Sequence, residues 1–342
     1  MNNISQLFEQ GYIALAKLPA NNEFDLAELD RLDAYTVPLT IHDYGAKTPT
    51  MWNTLYQKLG LKLRSIMVIA DPRNLEAIVG AFRNDPKYLG GGMAVGFKEA
   101  IIPFLDAVVP ADLKSVNIVV KDNGRLIGYN TDALGLYESI ADELAKQAKS
   151  VKNGTFVILG AGGVAKQLVR VLAQNGAGRI GIVNRTYGKA VDIAYGVNKQ
   201  FPNVAYAVPE DLIRGTVLNT LRPIDAIVNT TDKGSDGNLK ETSAFAPAGE
   251  YNNTYSIDVL RLLKHWNPGC VIVDITLPKS GQSVTLRHAA SAGLTNLVDG
   301  KPMVINQAVP AYKLVESAHR AFHTASVTLD EIKKIMKDAA NA

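Results

Sequence analysis

The sequence is short of cysteine. Its 342 residues contain a single one, Cys270, in the apolar run Cys270-Val271-Ile272-Val273. One cysteine forms no disulfide within the chain, and apolar neighbours favour a buried core thiol over a nucleophile. The composition therefore predicts a protein without a disulfide framework and favours a reducing compartment, the cytoplasm.

Long hydrophobic runs and an export signal are also missing. The segment Met1-Asn2-Asn3-Ile4-Ser5-Gln6 lacks a charged region followed by an apolar run. No stretch approaches the ~18 uninterrupted apolar residues that a membrane-spanning helix needs. We expect a protein that is neither exported nor inserted into a membrane.

The chain has little excess charge of either sign. Lys and Arg total 36 against 33 for Asp and Glu, which gives a formal net charge of +3. This small charge, without a long Lys/Arg run, disfavours a nucleic-acid partner. We also predict no metal site. With 47% hydrophobic residues, a chain of this length can bury the cores of two domains.

Strand-like and helix-like segments alternate in the first half of the chain, which indicates a parallel, layered α/β sheet. The Asn-Gly of Asp122-Asn123-Gly124 predicts a hairpin between two strands. The predicted strands cover residues 35–41, 63–69, a short segment after Gly90-Gly91-Gly92, 115–121 and 125–129. The predicted helices cover residues 49–59, 74–82 and 131–149.

The second half shows the same alternation and predicts a second α/β domain. Its predicted strands cover residues 155–159, 179–183, 226–229, 271–275 and 296–298, and two final helices cover 303–322 and 329–340. The fold class is thus α/β with two domains. The predicted divisions are a helical N-terminal extension (1–32), a first α/β domain (33–137), a second α/β domain (138–301) and C-terminal helices (302–342).

A glycine-rich loop is the most specific local signal. Gly160-Ala161-Gly162-Gly163-Val164-Ala165 directly follows an apolar strand and opens a helix, as a dinucleotide-binding loop does. The first glycine permits the tight turn, the second allows close approach of a pyrophosphate, and the small Ala165 permits close helix–sheet packing. The helix N-terminus offers free N–H groups to the phosphates.

The end of the next strand favours NADP over NAD. An NAD enzyme usually places Asp or Glu there to bond the ribose 2′-hydroxyl. This chain has Asn184-Arg185-Thr186, with Lys189 nearby and no acid. Arg185 can hold a 2′-phosphate through a forked, charge-assisted contact, whereas a solvated surface arginine is the simpler alternative.

Four separated motifs, in this order and around the glycine loop, resemble the shikimate dehydrogenase family. They are Gly96-Phe97-Lys98-Glu99-Ala100, Val116-Asn117-Ile118, Gly128-Tyr129-Asn130-Thr131-Asp132, and Val298-Asp299-Gly300-Lys301-Pro302-Met303 followed by Gln307-Ala308. Taken singly each is weak, since a lone lysine is usually solvated and Asn-Thr-Asp is often a helix N-cap. The resemblance covers residues 35–316.

The resemblance implies two α/β domains with the active site in the cleft between them. It implies that residues 33–137 form a substrate-binding and catalytic domain, that residues 138–301 form a Rossmann-type domain, and that helices 302–342 pack on the first domain. It also implies NADP as cofactor, a role in aromatic amino acid biosynthesis, Lys98 as the catalytic lysine and Asp132 as its partner. Asn117 and Gln307 match amides that bond ring hydroxyls. The segment Asn229-Thr230-Thr231 resembles the loop beside the nicotinamide.

The reaction requires such a lysine. Oxidising a secondary alcohol removes the hydroxyl proton while a hydride leaves the same carbon. A lysine can take that proton and return it in the reverse direction. A surface ion pair of Lys98 with Asp132 is the alternative interpretation.

The family's carboxylate-binding element is altered. Ser-x-Ser-Pro followed by Met-His-Asn corresponds here to Ala46-Lys47-Thr48-Pro49 followed by Met51-Trp52-Asn53. Asn-Val-Thr before the lysine corresponds to Gly92-Met93-Ala94, and Leu277 replaces a tyrosine. An unmatched buried polar contact costs about 1–3 kcal/mol.

Either the substrate differs from shikimate or other side chains compensate. Thr48 keeps one hydroxyl, and Tyr44, His42 and Lys47 lie in the altered stretch, although each is as readily a surface or packing residue. We therefore predict Thr48, Tyr44, Asn117 and Gln307 as substrate-binding residues.

The function predicted from these residues is an NADP-dependent dehydrogenase acting on a small carbocyclic hydroxy acid of the 3-dehydroshikimate/shikimate type. A quinate- or aminoshikimate-type enzyme and a non-catalytic NADP-binding sensor are the alternatives. The expected partner is the small-molecule substrate, and a homodimer stays open.

Overall fold

The computed structural model describes residues 3–17, 19, 22–215, 223–278, 281–319 and 327–341. The chain separates into two compact units. Unit 1 contains Met1–Asp132 and Ile305–Ala342, and unit 2 contains Ala133–Val304. The chain passes between them inside two helices, α4 (Asp132–Ala145) and α10 (Lys301–Ala318). The boundaries predicted at 137/138 and 301/302 fall in the same helices, and the functional assignment of each part stays a prediction.

Unit 1 is built on a six-stranded sheet of order β4-β2-β6-β8-β9-β7 and a three-stranded sheet of order β1-β5-β3. Its strands are β1 (Ile13–Leu15), β2 (Ala34–Thr36), β3 (Leu39–Thr40), β4 (Leu63–Ser65), β5 (Val68–Ala70), β6 (Tyr88–Gly92), β7 (Ala107–Val109), β8 (Ile118–Asp122) and β9 (Arg125–Tyr129).

The larger sheet of unit 1 is mixed, not parallel as the alternation predicted. Strand β8 runs antiparallel to both β6 and β9. The cause is the predicted hairpin, in which Asn123 (φ 48°) and Gly124 (φ 79°) both adopt positive φ and reverse the chain in two residues. Strand β7 returns parallel to β9 and was not predicted.

The helices of unit 1 pack in two separate apolar clusters. The helices are α1 (Ile4–Glu9), α2 (Lys47–Lys58), α3 (Leu75–Asn84) and α11 (Leu329–Asn341), with the larger part of α10, and 3-10 turns at Leu26–Arg31, Pro72–Asn74 and Ile102–Phe104. Buried side chains of α2, α10 and α11, including Trp52, Tyr312 and Met336, share one apolar cluster. Predicted helix 303–322 ends at Ala318 in the structure, and its predicted last residues lie outside the described ones.

The N-terminal extension predicted as helical for residues 1–32 also contains a strand. In β1, Ile13 pairs with Ala70 of β5 in an antiparallel ladder, and the Ile13 side chain is buried. A strand of three residues is too short to show an alternating pattern, so it could not be told from a helical turn.

Unit 2 is a parallel, doubly wound sheet. Its strands are β10 (Thr155–Leu159), β11 (Arg179–Asn184), β12 (Ala205–Pro209), β13 (Ala226–Asn229), β14 (Val271–Asp274) and β15 (Leu297–Val298). Besides α4, its helices are α5 (Gly163–Gln174), α6 (Tyr187–Asn198), α7 (Ile213–Gly215), α8 (Asn252–Trp266) and α9 (Val284–Ser291), with a 3-10 turn at Glu210–Leu212.

The strand order β12-β11-β10-β13-β14-β15 reverses direction beside β10, and every ladder is parallel. This is the Rossmann order, in which dinucleotides bind outside the carboxyl ends of the strands at the reversal point. Strand β12 was not predicted. Cys270 is buried as expected, and burial raises the pKa of its thiol.

None of the described helices is long and apolar enough to cross a bilayer.

Candidate active site

The turn that carries Lys98 is fixed by backbone bonds. After β6, the Met93 amide donates to Asn117 O (2.8 Å) and the Ala94 amide donates to Leu39 O (3.0 Å). Beyond the turn, the Val116 amide donates to the Lys98 carbonyl (2.7 Å). The backbone of Lys98 is thus tied to the segment that leads into Asn117, while its side chain stays 32% exposed.

Lys98 and Asp132 form a close ion pair. Lys98 Nζ lies 2.7 Å from Asp132 Oδ2, and the carboxylate is only 11% exposed. The other oxygen, Asp132 Oδ1, accepts from Asn117 Nδ2 at 2.8 Å. Both carboxylate oxygens are therefore occupied, and the ammonium group is held at a defined position next to solvent.

Gln307 joins the same cluster from α10. Its Oε1 accepts from Asn117 Nδ2 (3.2 Å) and from Thr131 Oγ1 (3.2 Å). Asn117 Nδ2 also lies 3.0 Å from Thr131 Oγ1. The two hydrogens of Asn117 Nδ2 are thus shared among three acceptors, which are Thr131 Oγ1, Asp132 Oδ1 and Gln307 Oε1. A ligand hydroxyl can replace one of these partners. We name Lys98, Asn117, Thr131, Asp132 and Gln307 the active-site cluster.

The Asn130 side chain binds the first backbone amide of α4, so the Asn-Thr-Asp motif also caps this helix as predicted. Asn130 Oδ1 accepts from the Asp132 amide at 2.9 Å, and its Nδ2 donates to Ser115 O at 2.8 Å. Since Asn130 satisfies the first amide of α4, the Asp132 carboxylate is left for Lys98 and Asn117. Asn130 and Thr131 were not predicted as site residues, although the motif contained them.

The altered stretch that follows β3 splits into a buried and an exposed part. Trp52 is 1% exposed and its Nε1 donates to Ala308 O (3.3 Å), so the residue in the place of the family's histidine is part of the core. Ala46 is the N-cap of α2 and supplies no side-chain acceptor. Thr48, which was predicted to contact the substrate, is half-buried in the first turn of α2.

The loop before α2 lies beside the Lys98 turn. A Cβ added at Gly96 would come within 2.7 Å of Ile41 Cγ2. Tyr44, predicted to bind substrate, is 40% exposed and contacts the His42 ring at 5.8 Å between centroids. Among the described residues, neither Tyr44 nor Thr48 hydrogen-bonds to the active-site cluster, so their role stays a prediction.

In unit 2 the glycine loop has the geometry that phosphates require. Gly160 adopts φ +113°, and a Cβ there would lie 2.7 Å from Thr230 Oγ1. Gly162 is the N-cap of α5 without a side-chain bond, and a Cβ on Gly162 or Gly163 would face open space. The first amides of α5 are thus accessible to an anion. Ala165 is fully buried at the contact of α5 with the sheet.

A cavity of about 290 Å³ opens at this edge of the sheet. The ends of β10 and β11 and the loops that follow β10, β11, β12 and β13 line it: Leu159, Gly160, Ala161, Gly162, Val183, Asn184, Arg185, Glu210, Thr231, Asp232, Lys233, Leu239, Ala244 and Ala248. Arg185 is exposed and makes no hydrogen bond or ion pair with another described residue. Its guanidinium is free to bind an anion.

The other predicted cofactor residues fall into two groups. Thr186 and Lys189 are exposed at the start of α6 but do not line the cavity, and Val164 lies in the first turn of α5. Asn229 is buried, and its side-chain Nδ2 donates to Asp274 Oδ1 (2.9 Å). Thr230 Oγ1 donates to Leu159 O (2.8 Å), next to Gly160.

The prediction missed an ion pair in the cavity wall. Lys233 Nζ lies 2.6 Å from Glu210 Oε1 and also donates to Ala246 O at 2.6 Å. Glu210 directly follows β12, a strand that was not predicted, so no signal pointed to it. Lys233 follows Asn229-Thr230-Thr231, which the resemblance placed beside the nicotinamide, but no pairing with Glu210 was predicted.

These residues fit NADP better than NAD. The amides of the glycine loop match a pyrophosphate, and unpaired Arg185 matches a 2′-phosphate. No acid stands at the end of β11, where NAD enzymes bind the ribose. In the described part of the chain, no group of three or more His, Cys, Asp or Glu side chains is placed to hold a metal ion.

Comparison with known proteins agrees with this arrangement. The model of the family "Shikimate / quinate 5-dehydrogenase" matches residues 143–214. The shikimate dehydrogenase (NADP(+)) of Halothermothrix orenii is 30% identical over 270 residues, covering 78% of this chain and 85% of that protein. The corresponding protein of Alkaliphilus oremlandii is 30% identical and covers 84% of this chain and 91% of its own.

A solved structure gives the same result in three dimensions. The shikimate dehydrogenase of Aquifex aeolicus superimposes with a TM-score of 0.62 at 25% identity, covering 92% of this chain and all of that one (100%). With a relative of 30% identity that covers most of both chains, and a doubly wound unit that fits NADP, this chain belongs to the shikimate dehydrogenase family of NADP-dependent oxidoreductases.

Proposed function

We propose that this protein interconverts a secondary alcohol and a ketone on a small carbocyclic hydroxy acid of the 3-dehydroshikimate/shikimate type. The observation that carries the proposal is the ion pair of Lys98 Nζ with Asp132 Oδ2 at 2.7 Å inside a cluster of hydrogen-bonded amides. A surface ion pair needs no such surroundings, whereas a proton-transferring lysine must be held at one position.

The cluster supplies the proton transfer and the orientation of the substrate. NADP, when bound, takes up or gives back the hydride. In the oxidising direction the neutral amine form of Lys98 accepts the hydroxyl proton and becomes the ammonium form, as the C–H bond breaks and the C=O bond forms. In the reducing direction its ammonium group returns that proton to the ketone oxygen. Asp132 fixes the position of Nζ, so that the lysine needs little reorganisation at the moment of transfer.

The two amides recognise hydroxyl groups. Asn117 and Gln307 already share hydrogens with each other and with Thr131, at 3.0–3.2 Å. A ring hydroxyl can both donate to Gln307 Oε1 and accept from Asn117 Nδ2, since a hydroxyl has one donor and two acceptor sites. We therefore assign substrate binding to unit 1 and cofactor binding, through the glycine loop and Arg185, to unit 2.

A related acid is the second candidate for the best substrate. The N-cap Ala46 offers no side-chain acceptor or donor, and Trp52 is committed to the core. Polar groups that the family places at the carboxylate are thus missing, while the active-site cluster is complete. A quinate- or aminoshikimate-type substrate fits this combination. A sensor without catalysis is disfavoured, because the cluster would then have no use for its ion pair.

A spectrophotometric screen tests the proposal. The purified protein is incubated with NADP and, in separate reactions, shikimate, quinate and aminated analogues, and NADPH formation is followed at 340 nm. The proposal predicts reduction of NADP with at least one of these acids. NADPH binding without turnover on any of them would instead support the sensor, and the ranking of the acids decides between the two substrate candidates.

A further inference from the structure

The cavity of unit 2 has a wall that the phosphate contacts leave unused. The glycine loop and Arg185 account for the phosphates of NADP. The remaining wall contains the ion pair of Glu210 with Lys233 and three apolar side chains, Leu239, Ala244 and Ala248. Asp232, the other acid of this cavity, is exposed, so the largely buried carboxylate of this wall is that of Glu210. An apolar wall with one such carboxylate is suited to a flat heteroaromatic ring that carries a hydrogen-bond donor.

Glu210 has one oxygen that is still available. Its Oε1 accepts from Lys233 Nζ at 2.6 Å, whereas Oε2 accepts no hydrogen bond from any described residue. The carboxylate is 15% exposed and lines the cavity. Because Oε2 has no donor among the described residues, a ligand group that enters the cavity can donate a hydrogen bond to it.

The wall is held rigidly. Lys233 Nζ donates to Ala246 O (2.6 Å) as well as to Glu210, and Asn252 Nδ2 donates to the same carbonyl (3.1 Å). The Gly234 amide donates to Leu239 O at 2.8 Å. Glu210, which follows β12, is thus joined to the loops that follow β13, and its position does not depend on the ligand.

We infer that Glu210 reads the adenine base of the cofactor, with Oε2 accepting a hydrogen bond from the exocyclic 6-amino group. The inference rests on the proposed NADP site. Adenine presents an N–H₂ donor at this position, whereas hypoxanthine presents a carbonyl oxygen that a carboxylate repels. Lys233 compensates the negative charge of Glu210, which otherwise would disfavour a nucleotide with several phosphates.

The experiment compares the dissociation constants of NADPH and of reduced nicotinamide hypoxanthine dinucleotide phosphate, measured by calorimetry. The wild-type protein is expected to bind NADPH at least about tenfold more tightly than the hypoxanthine nucleotide. Loss of a hydrogen bond to a charged group weakens binding by about this factor or more. In Glu210→Gln the ratio is expected to fall below about threefold, because the amide can turn its NH₂ group toward the hypoxanthine oxygen. The amide still offers Lys233 an acceptor, and a thermal melt checks that the variant is folded.

Asp232→Asn is the matched control, since Asp232 is an exposed acid of the same cavity. It should keep the wild-type ratio. Equal affinity of the wild type for both nucleotides overturns the inference, whether or not Glu210→Gln folds. A changed NADPH/NADH ratio in Glu210→Gln with an unchanged base ratio would show that Glu210 contacts the ribose instead. Failure of both nucleotides to bind would overturn the NADP site itself, and this inference with it.

Discussion

The two units present their functional groups in opposite ways. In unit 1, the side chains of the active-site cluster bond one another at 2.7–3.2 Å, as in the contacts of Asp132 with Lys98 and of Asn117 with Gln307. In unit 2, the edge beside β10 presents backbone amides and Arg185, a guanidinium without a partner. Proton transfer needs one exact arrangement of side chains, whereas a pyrophosphate is bound by amides that the helix supplies without any side chain.

The two units are therefore expected to tolerate different substitutions. In unit 1 a changed side chain removes a function directly. In unit 2 the first glycine of the loop cannot gain a side chain, because a Cβ on Gly160 would meet Thr230 Oγ1 at 2.7 Å. Altering one residue in each unit should therefore separate turnover from cofactor affinity.

The largest effect is expected for Lys98→Ala. Loss of the group that transfers the proton should lower kcat by about 10²–10⁴. The dissociation constant of NADPH should stay within twofold, since the residues assigned to the cofactor are in unit 2. Steady-state kinetics and NADPH titration measure both. Lys58→Ala, an exposed lysine at the end of α2, is the control and should keep wild-type turnover. Turnover of Lys98→Ala close to that of the wild type would refute the role of Lys98.

The next effect concerns stability alone. Trp52→Ala empties a buried position that Tyr56 and Tyr312 surround, at centroid distances of 6.5 and 5.8 Å. The free energy of unfolding should fall by about 3–5 kcal/mol, as for other large-to-small core substitutions. Urea denaturation measures it. Trp266→Ala, at a side chain that is 51% exposed, should cost about 1 kcal/mol or less. If Trp52→Ala leaves stability unchanged but abolishes turnover, Trp52 belongs to the site and not to the core.

Arg185→Ala tests cofactor binding in unit 2. NADPH affinity should weaken by about 1.5–3 kcal/mol, the loss of hydrogen bonds to a charged group. NADH affinity should change little, because NADH lacks the 2′-phosphate, and kcat at saturating NADPH should be preserved. Lys199→Ala is the control, since Lys199 is an exposed cation of unit 2 that does not line the cavity and was not predicted to bind the cofactor. Equal weakening of both cofactors in titrations would show that Arg185 does not bind that phosphate.

The smallest effect is expected where unit 1 has lost its polar contacts. Ala46→Ser combined with Thr48→Ser should raise kcat/KM for shikimate about fivefold, or roughly 1 kcal/mol, if hydroxyls there reach the carboxylate. Serine at position 46 can also cap α2, which would raise stability by about 0.5–2 kcal/mol. Kinetics and thermal melts separate the two roles. Higher stability with unchanged shikimate kinetics would mean that the altered stretch does not recognise the acid.

Several elements followed from short stretches of the sequence. The Asn123-Gly124 hairpin and the β10–loop–α5 segment were predicted closely, because positive φ at Gly124 and Gly160 is a local requirement that glycine alone meets cheaply. The ion pair of Lys98 with Asp132 was predicted from the family resemblance and not from spacing. Strands β1 and β7 were missed because three residues carry too little periodicity. Strand β12, at the edge of its sheet, was missed because Ala205-Tyr206-Ala207-Val208-Pro209 has one β-branched residue and ends in proline.

The sequence alone was enough to predict two α/β halves, a glycine loop after an apolar strand, and the absence of an acid at the end of β11, which favours NADP. The roles of Lys98 and Asp132 in proton transfer came from the family resemblance and stay predictions. Which of these side chains contact one another depends on the tertiary structure. Lys98 and Asp132 are 34 positions apart, and Asn117 and Gln307 are 190 apart. Tertiary packing likewise placed Trp52 in the core and Glu210 beside Lys233. Turns are set by the backbone preferences of one or two residues, whereas contacts across the chain depend on how sheets and helices pack, which no local pattern records.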